Sequence, residues 1–241
     1  MKTTNDLLNY KNLKIVQDDD FFRFSLDSVL LPNFATITKK TKKILDLGTG
    51  NAPIPMILST RVNDDIELYG IELQEKIFSL AIESLQINNL SKRIKLINDD
   101  MKNLHNYFAI NSFDLILSNP PYFKLFENST TNDIIEKTIA RHEKAITLNQ
   151  IIEIAKLYLK NGGTFAMVHR TDRMIEILEI LKKNKLEPKK LQLIYPKENS
   201  ESNLMLIEAR KNGNPGLKVL APIITHYNNG EYTDQIKKYF E

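Results

Sequence analysis

Short apolar runs of β character alternate with longer runs of helical period along this chain, and that alternation leaves few folds open. The β runs are Lys43–Leu47, Glu67–Glu72, Ile94–Ile97, Phe113–Leu117, Thr164–Val168, Leu191–Tyr195 and Leu204–Glu208. Between them lie helical segments at Ile54–Arg61, Gln74–Asn88, Leu148–Lys160 and Asp172–Lys183. In Gln74–Asn88, the residues Ile77, Leu80, Ala81, Ser84, Leu85 and Asn88 recur at helical spacing, giving one buried face with a small polar break. Strands separated by helices run parallel, because a crossover must carry the chain back to the same end of the sheet. The last two β runs are joined only by Pro196–Asn203, too short for a crossover helix, so they should pair as an antiparallel hairpin. The expected architecture is α/β: a doubly wound, mostly parallel sheet finished by a C-terminal antiparallel hairpin.

A chain of 241 residues suits one such domain with small additions. The α/β pattern spans residues 37–211. Before it, residues 1–36 carry a short amphipathic helix, Ser25–Ala35, led by Phe21, Phe22 and Phe24. After the turn Asn212-Gly213-Asn214-Pro215-Gly216, residues 212–241 read as an extension docked on the domain. The absence of Cys removes disulfides, zinc thiolates and cysteine nucleophiles together. The four His include no ligand-spaced pair, so no metal is expected. No uncharged apolar stretch approaches the roughly 20 residues that cross a bilayer. The first ten residues are polar, include Asp6 and do not read as a signal peptide, so a cytoplasmic protein is expected. A net charge of +3 permits an anionic partner without demanding one.

The first β run ends in Asp46-Leu47-Gly48-Thr49-Gly50, followed by Asn51-Ala52-Pro53 and a helix. Glycines at a strand-to-helix turn let the backbone approach a ligand closely. A dinucleotide fingerprint wants a third Gly where Pro53 stands, and the acid ahead of the glycines would repel a pyrophosphate. That acid suits instead the cationic amino acid end of S-adenosylmethionine. Glu72 ends the second run, where an acid accepts hydrogen bonds from ribose hydroxyls. The third ends in Asn98-Asp99-Asp100-Met101, where Asp100, or else Asp99, can meet an adenine amine. Each acid alone could be a helix cap; three on successive strand tips point to one nucleoside-like ligand. Leu73 and Met101 complete the candidate cofactor residues at these tips.

The fourth run leads through Ser118 into Asn119-Pro120-Pro121-Tyr122. A base amine is a poor nucleophile because its lone pair is delocalised into the ring. Hydrogen bonds from that amine to the Asn119 side-chain oxygen and the Pro120 carbonyl would orient it and aim the lone pair at a methyl sulfonium. Pro120 and Pro121 remove backbone donors and fix φ, and Tyr122 offers a face on which an extruded base can stack. Asn119 thus belongs to both the cofactor and the catalytic sets.

Asp46–Gly50, Glu72 and Asn119–Tyr122 together resemble the class I methyltransferases that act on planar amino groups. Three further segments narrow the resemblance to the tRNA1(Val) adenine N6-methyltransferase family: Phe22–Leu31, Gly70–Gln74 and Ala140-Arg141-His142-Glu143. It runs from about Phe21 to about Arg210. What it implies is a Rossmann-like, seven-stranded class I methyltransferase fold that methylates adenine 37, next to the anticodon of a valine tRNA. It further implies that Phe24, Ser25 and Asp27 in the N-terminal element close over the cofactor, and that the segment with Arg141, His142 and Glu143 lines the base pocket. The family pattern usually has Gly where Ala52 stands, which bears on the tightness of the turn.

For an RNA partner, phosphate contacts supply most of the affinity. Basic clusters occur at Lys39-Lys40, Lys42-Lys43, Lys182–Lys185, Lys189-Lys190 and Lys237-Lys238, but charge runs are mostly solvated faces. The credited residues are Lys124, Lys137, Arg141 and Lys144 around the tetrapeptide and its loop, with Arg170 and Arg173 near the same edge. The expected partner is the tRNA anticodon loop, read by shape and unstacked bases, with the protein a monomer or weak dimer. His142 could meet the base, a phosphate or the Asn119 loop; His105, His169 and His226 read as structural or surface. Alternatives sharing the tetrapeptide are an N5-glutamine methyltransferase of a release factor, which usually carries a separate N-terminal helical domain, and another RNA or DNA amino-methyltransferase. A protein that keeps the cofactor without catalysis is the remaining alternative.

Overall fold

The structure, a computed structural model, describes residues 1–7, 10–19, 21, 25–120 and 146–240. It opens with an antiparallel hairpin that sequence pattern does not announce, β1 (Lys2–Asp6) with β2 (Lys14–Asp18). Next come α1 (Asp27–Phe34), β3 (Lys43–Leu47), α2 (Pro53–Ser59), β4 (Glu67–Glu72), α3 (Glu75–Ile87), β5 (Ile94–Asn98) and β6 (Phe113–Ser118). They are followed by α4 (Leu148–Tyr158), β7 (Leu159–Arg170), α5 (Met174–Lys183), β8 (Leu186–Tyr195) and β9 (Leu204–Lys211). The tail adds β10 (Lys218–Val219), β11 (Ile223–Ile224) and α6 (Asp234–Lys237).

All seven expected β runs become strands of one sheet, in the order β8-β9-β7-β6-β3-β4-β5, with β10 and β11 both alongside β8. Every pairing is parallel except those of β9, which runs antiparallel to β7 on one side and β8 on the other. The hairpin at the end of the pattern therefore inserts its second strand inside the sheet. This is the Rossmann-like sheet of the class I methyltransferase fold.

Strand alternation divides the core into two layers. Ile44, Leu68, Leu115 and Leu117 face the side covered by α1, α2 and α3. Leu45, Ile71, Ile116 and Met167 face the side covered by α4 and α5. Asp46, Glu72 and Asn119 have the parity of the first set, so three candidate site residues at three strand tips lie on the α1–α3 side.

Two expectations are corrected. The N-terminal helix is shorter than Ser25–Ala35 and is not amphipathic: Asp27 through Pro32 and Phe34 are all buried, because the hairpin, α2 and the sheet enclose it. The polar break in α3 also has a use. Ser84, fully buried, accepts the Val16 amide at 3.0 Å and so docks the hairpin onto α3. The tail reaches the same layer, with Ile223 and Ile236 buried in it.

Candidate active site

The turn after β3 is tied to its neighbour strand, since Gly48 and Thr49 both donate to the Ile71 carbonyl, at 3.0 and 2.9 Å. Gly48 (φ +72°) and Gly50 (φ +59°) adopt left-handed backbone that glycine takes without penalty. Ala52, fully buried at the head of α2, holds a left-handed conformation too (φ +69°), a backbone that glycine would adopt without penalty. Gly70 has no positive φ; it is required for space. A Cβ there would stand 2.8 Å from Thr49 Oγ1 and 2.8 Å from Leu96 Cδ2.

That space lets Thr49 donate to Asp46 Oδ2 at 2.7 Å. The other oxygen, Asp46 Oδ1, is buried with no hydrogen-bond partner among the described residues. Burial pushes the Asp46 carboxyl up to about 7, opposed by the Thr49 hydrogen bond and reinforced by the nearby Glu72 carboxylate. Glu72 is itself 6% exposed; its Oε2 accepts the Gly50 amide at 3.0 Å and its Oε1 the Gln74 amide at 2.9 Å. Two buried acids thus share the glycine turn, an arrangement that favours a bound cation.

Beyond β4, Leu73 is half exposed at the strand tip. Met101 reaches back so that its Cε lies 3.8 Å from where a Gly48 Cβ would be, which joins the β5 tip to the turn. The two acids before it differ. Asp99 accepts from Asn103 Nδ2 at 2.8 Å and Tyr107 Oη at 2.9 Å, and these donors hold its carboxyl below the ordinary range. Asp100 caps the 3-10 turn Met101–Asn106 by accepting the Lys102 amide at 2.9 Å.

At the tip of β6, Ser118 donates to the Leu47 carbonyl at 3.0 Å, locking this tip to the glycine turn. Asn119 donates through Nδ2 to Ser28 Oγ on α1 at 3.2 Å. Ser28 is buried, and its amide donates at 3.0 Å to Asp27 Oδ1, which also accepts from Ser25 Oγ. Ser25, Asp27 and Asn119 are therefore one connected group. Pro120 is buried on the opposite side of the tip, against the layer of α4 and α5. Phe24, Pro121, Tyr122, Lys124, Lys137, Arg141, His142, Glu143 and Lys144 lie outside the described residues.

Three contributors carry no prior signal. Ser28 sits inside the quoted N-terminal segment but gains its role only from Asn119, 91 positions away. Asn51 anchors the hairpin to the turn by donating to the Val16 carbonyl at 2.9 Å. His169 is 1% exposed at the end of β7, beside Pro120, and burial together with Arg173 pushes its imidazole down to about 4. Its Nδ1 accepts the Arg170 amide at 2.8 Å.

Several basic clusters have partners within the fold. Lys42 pairs with Asp65 at 2.5 Å, and Lys43 lies 4.8 Å from the Phe108 ring centroid. Lys190 donates to the Phe34 carbonyl at 2.7 Å and pairs with Glu208. Arg173 forms a two-pronged pair with Glu176, at 2.8 and 2.6 Å, and Arg170 pairs with Asp172 at 3.3 Å.

Residues 38–212 match a family model described as a methyltransferase domain. Over 238 residues, 98% of both chains, the protein is 25% identical to the tRNA1(Val) (adenine(37)-N6)-methyltransferase of Bacteroides thetaiotaomicron. It is 24% identical to the protein of the same name from Flavobacterium johnsoniae, over 97% of this chain and 99% of that one. Among solved structures, one described as a predicted O-methyltransferase from Agrobacterium tumefaciens superposes with a TM-score of 0.69 at 20% identity, covering 88% of this chain and 94% of that chain. At that identity the likeness speaks for the fold alone.

Proposed function

Because the chain belongs to the methyltransferase domain family, we propose that it transfers a methyl group from S-adenosylmethionine to the exocyclic N6 of an adenine in tRNA. The position we propose is adenine 37 of tRNA1(Val), the one carried in the names of its relatives. The observation that carries the reading is the joining of two groups at one sheet edge. The acid-flanked glycine turn and the Asn119 tip are bonded to each other through Ser118 and Leu47.

The residues fit the cofactor. Asp46 Oδ1 is a buried acceptor in want of a donor, and leaving such a group unpaired costs about 1–3 kcal/mol. An ammonium group placed there would remove that cost and draw the carboxyl back to its ionised form. Glu72, whose oxygens accept the Gly50 and Gln74 amides, is the carboxylate to which the ribose hydroxyls would donate. Leu73 and Met101 offer apolar surface for a purine ring, and Asp100 an acceptor for its amine. When bound, the cofactor supplies an electrophilic methyl on a sulfonium.

The chain's own part is to orient the nucleophile. Ser28 accepts from the amide nitrogen of Asn119, which orients the group, and the target amine would donate to the amide oxygen. The Pro120 carbonyl accepts the second amine hydrogen, and together they turn the nitrogen lone pair toward the methyl. Methyl transfer would leave the nitrogen held by Asn119 and Pro120 cationic and acidic. Its proton passes to solvent, so no strong base is required of the site.

The test is to incubate the protein with labelled S-adenosylmethionine and, separately, total tRNA, rRNA, DNA and a release factor, then to identify the product. Label is expected in tRNA as N6-methyladenosine. Label in protein alone would refute the reading in favour of glutamine methylation. Asn119→Ala is expected to abolish transfer, by about 100-fold or more, while cofactor affinity measured by calorimetry stays within about twofold. Glu72→Ala is expected to weaken cofactor binding first.

A further inference from the structure

The two oxygens of Asp46 are unequally served. The residue is 1% exposed; Oδ2 accepts the Thr49 hydroxyl at 2.7 Å, and Oδ1 has no partner among the described residues. The elements around it carry Glu72 on β4, Asp27 on α1, Glu75 and Lys76 at the head of α3, and Asp99 and Asp100 beyond β5; α2 carries no charged residue. Of these, Glu72 is the group whose charge acts on the Asp46 carboxyl. An ionised Asp46 would therefore lie out of solvent beside a second buried acid, with one oxygen unserved. A proton relieves that cost. Glu72 has a backbone amide on each oxygen, so Asp46 is the better seat for it. Burial, opposed by the Thr49 bond and reinforced by Glu72, accordingly lifts the Asp46 carboxyl to about 7.

We propose that the cofactor-free protein holds a proton on Asp46 and releases it when the ammonium group of S-adenosylmethionine arrives, so that cofactor affinity is linked to pH through this one side chain. The inference rests on the reading of the glycine turn as the seat of the cofactor's amino acid end. The exchange balances: one cationic group enters, one proton leaves the carboxyl for solvent, and the carboxylate left behind faces the ammonium. Its sign follows from which state binds the proton. At low pH the cofactor must displace a proton, so affinity falls as pH falls. Once pH exceeds that of the Asp46 carboxyl, the carboxylate is already ionised and the dependence flattens.

The test is calorimetry of the wild type with S-adenosylhomocysteine, which keeps the amino acid end but has no sulfonium. Repeating the titration in buffers of different ionisation enthalpy counts the protons released. Release is expected to fall from about 0.9 proton at pH 6 to about 0.2 at pH 7.5, while Kd tightens roughly eightfold. 5′-Methylthioadenosine, which has no amino acid end, should bind with no release at either pH. Asp46→Asn, neutral throughout, should bind S-adenosylhomocysteine more weakly, with no release and a flat Kd. No release from the wild type at pH 6 would overturn the inference and leave the cofactor reading standing. So would equal release with 5′-methylthioadenosine, or release that persists in Asp46→Asn. If Asp46→Asn does not fold, the contrast between the two ligands on the wild type still decides. A wild type that binds S-adenosylhomocysteine at no pH would instead sink the reading of the cofactor site, and this inference with it.

Discussion

Thr49 is wedged between Asp46, which it bonds, and the bare backbone of Gly70. Gly70→Ala would place a methyl within 2.8 Å of its hydroxyl. The expected outcome is a loss of about 1–3 kcal/mol by chemical denaturation, as for other overpacked sites. Cofactor affinity by calorimetry should fall as well, since Thr49 must move away from Asp46. Unchanged affinity would mean that the Thr49 bond does not organise the turn. At this scale the sequence is legible where chemistry dictates residue type: the acids at strand tips, the glycines of the turn and Asn119 all stand out along the chain. Ser28 and His169 do not: Ser28 is bonded by Asn119, 91 positions away, and His169 is buried by the elements packed around it. A buried serine and a buried histidine look the same in sequence as a surface serine and a surface histidine.

Among elements, the seven sheet strands were legible because parallel strands buried on both faces read as nearly unbroken apolar runs. The N-terminal hairpin was not. β1 reads Lys-Thr-Thr-Asn-Asp and is almost wholly exposed, so it has no apolar pattern to detect. β2 docks through the Val16 amide on Ser84, the Lys14 amide on Asn88 and the Val16 carbonyl on Asn51. Those partners lie 35 to 74 positions away, beyond the reach of local periodicity. Asn51→Ala would leave the Val16 carbonyl buried and unpaired, at a cost of about 1–3 kcal/mol. Hydrogen exchange should then show faster opening of the β1–β2 amides with the amides of β3, β4 and β6 unchanged. Equal acceleration throughout would show that the hairpin and the sheet open as one unit.

Over the whole molecule, Asp46 and His169 act on stability with opposite signs. The Asp46 carboxyl is raised from 3.8 to about 7, so its contribution is full at low pH and is lost as pH rises through 7, on the order of 4 kcal/mol. The His169 imidazole is lowered from 6.5 to about 4, so its contribution is present above 6.5 and is lost as pH falls through 4, about 3 kcal/mol. Between about pH 4 and 6.5 the two slopes oppose each other. Replacing either group uncovers the other: Asp46→Asn should gain stability relative to the wild type as pH rises from 4 to 7, and His169→Gln should lose it as pH rises from 4 to 6.5. Denaturation midpoints across that range check both, and parallel curves for all three proteins would contradict the assignment.

β9 occupies an interior place in the sheet, hydrogen-bonded to β7 and β8, although it is the last of the long strands in the chain. During synthesis, then, β7 presents a bare edge, and β8 has nothing to join, until Lys211 has left the ribosome. Bare strand edges recruit strands from other molecules. A nascent chain arrested before that codon would be an aggregation seed and not a smaller version of the protein.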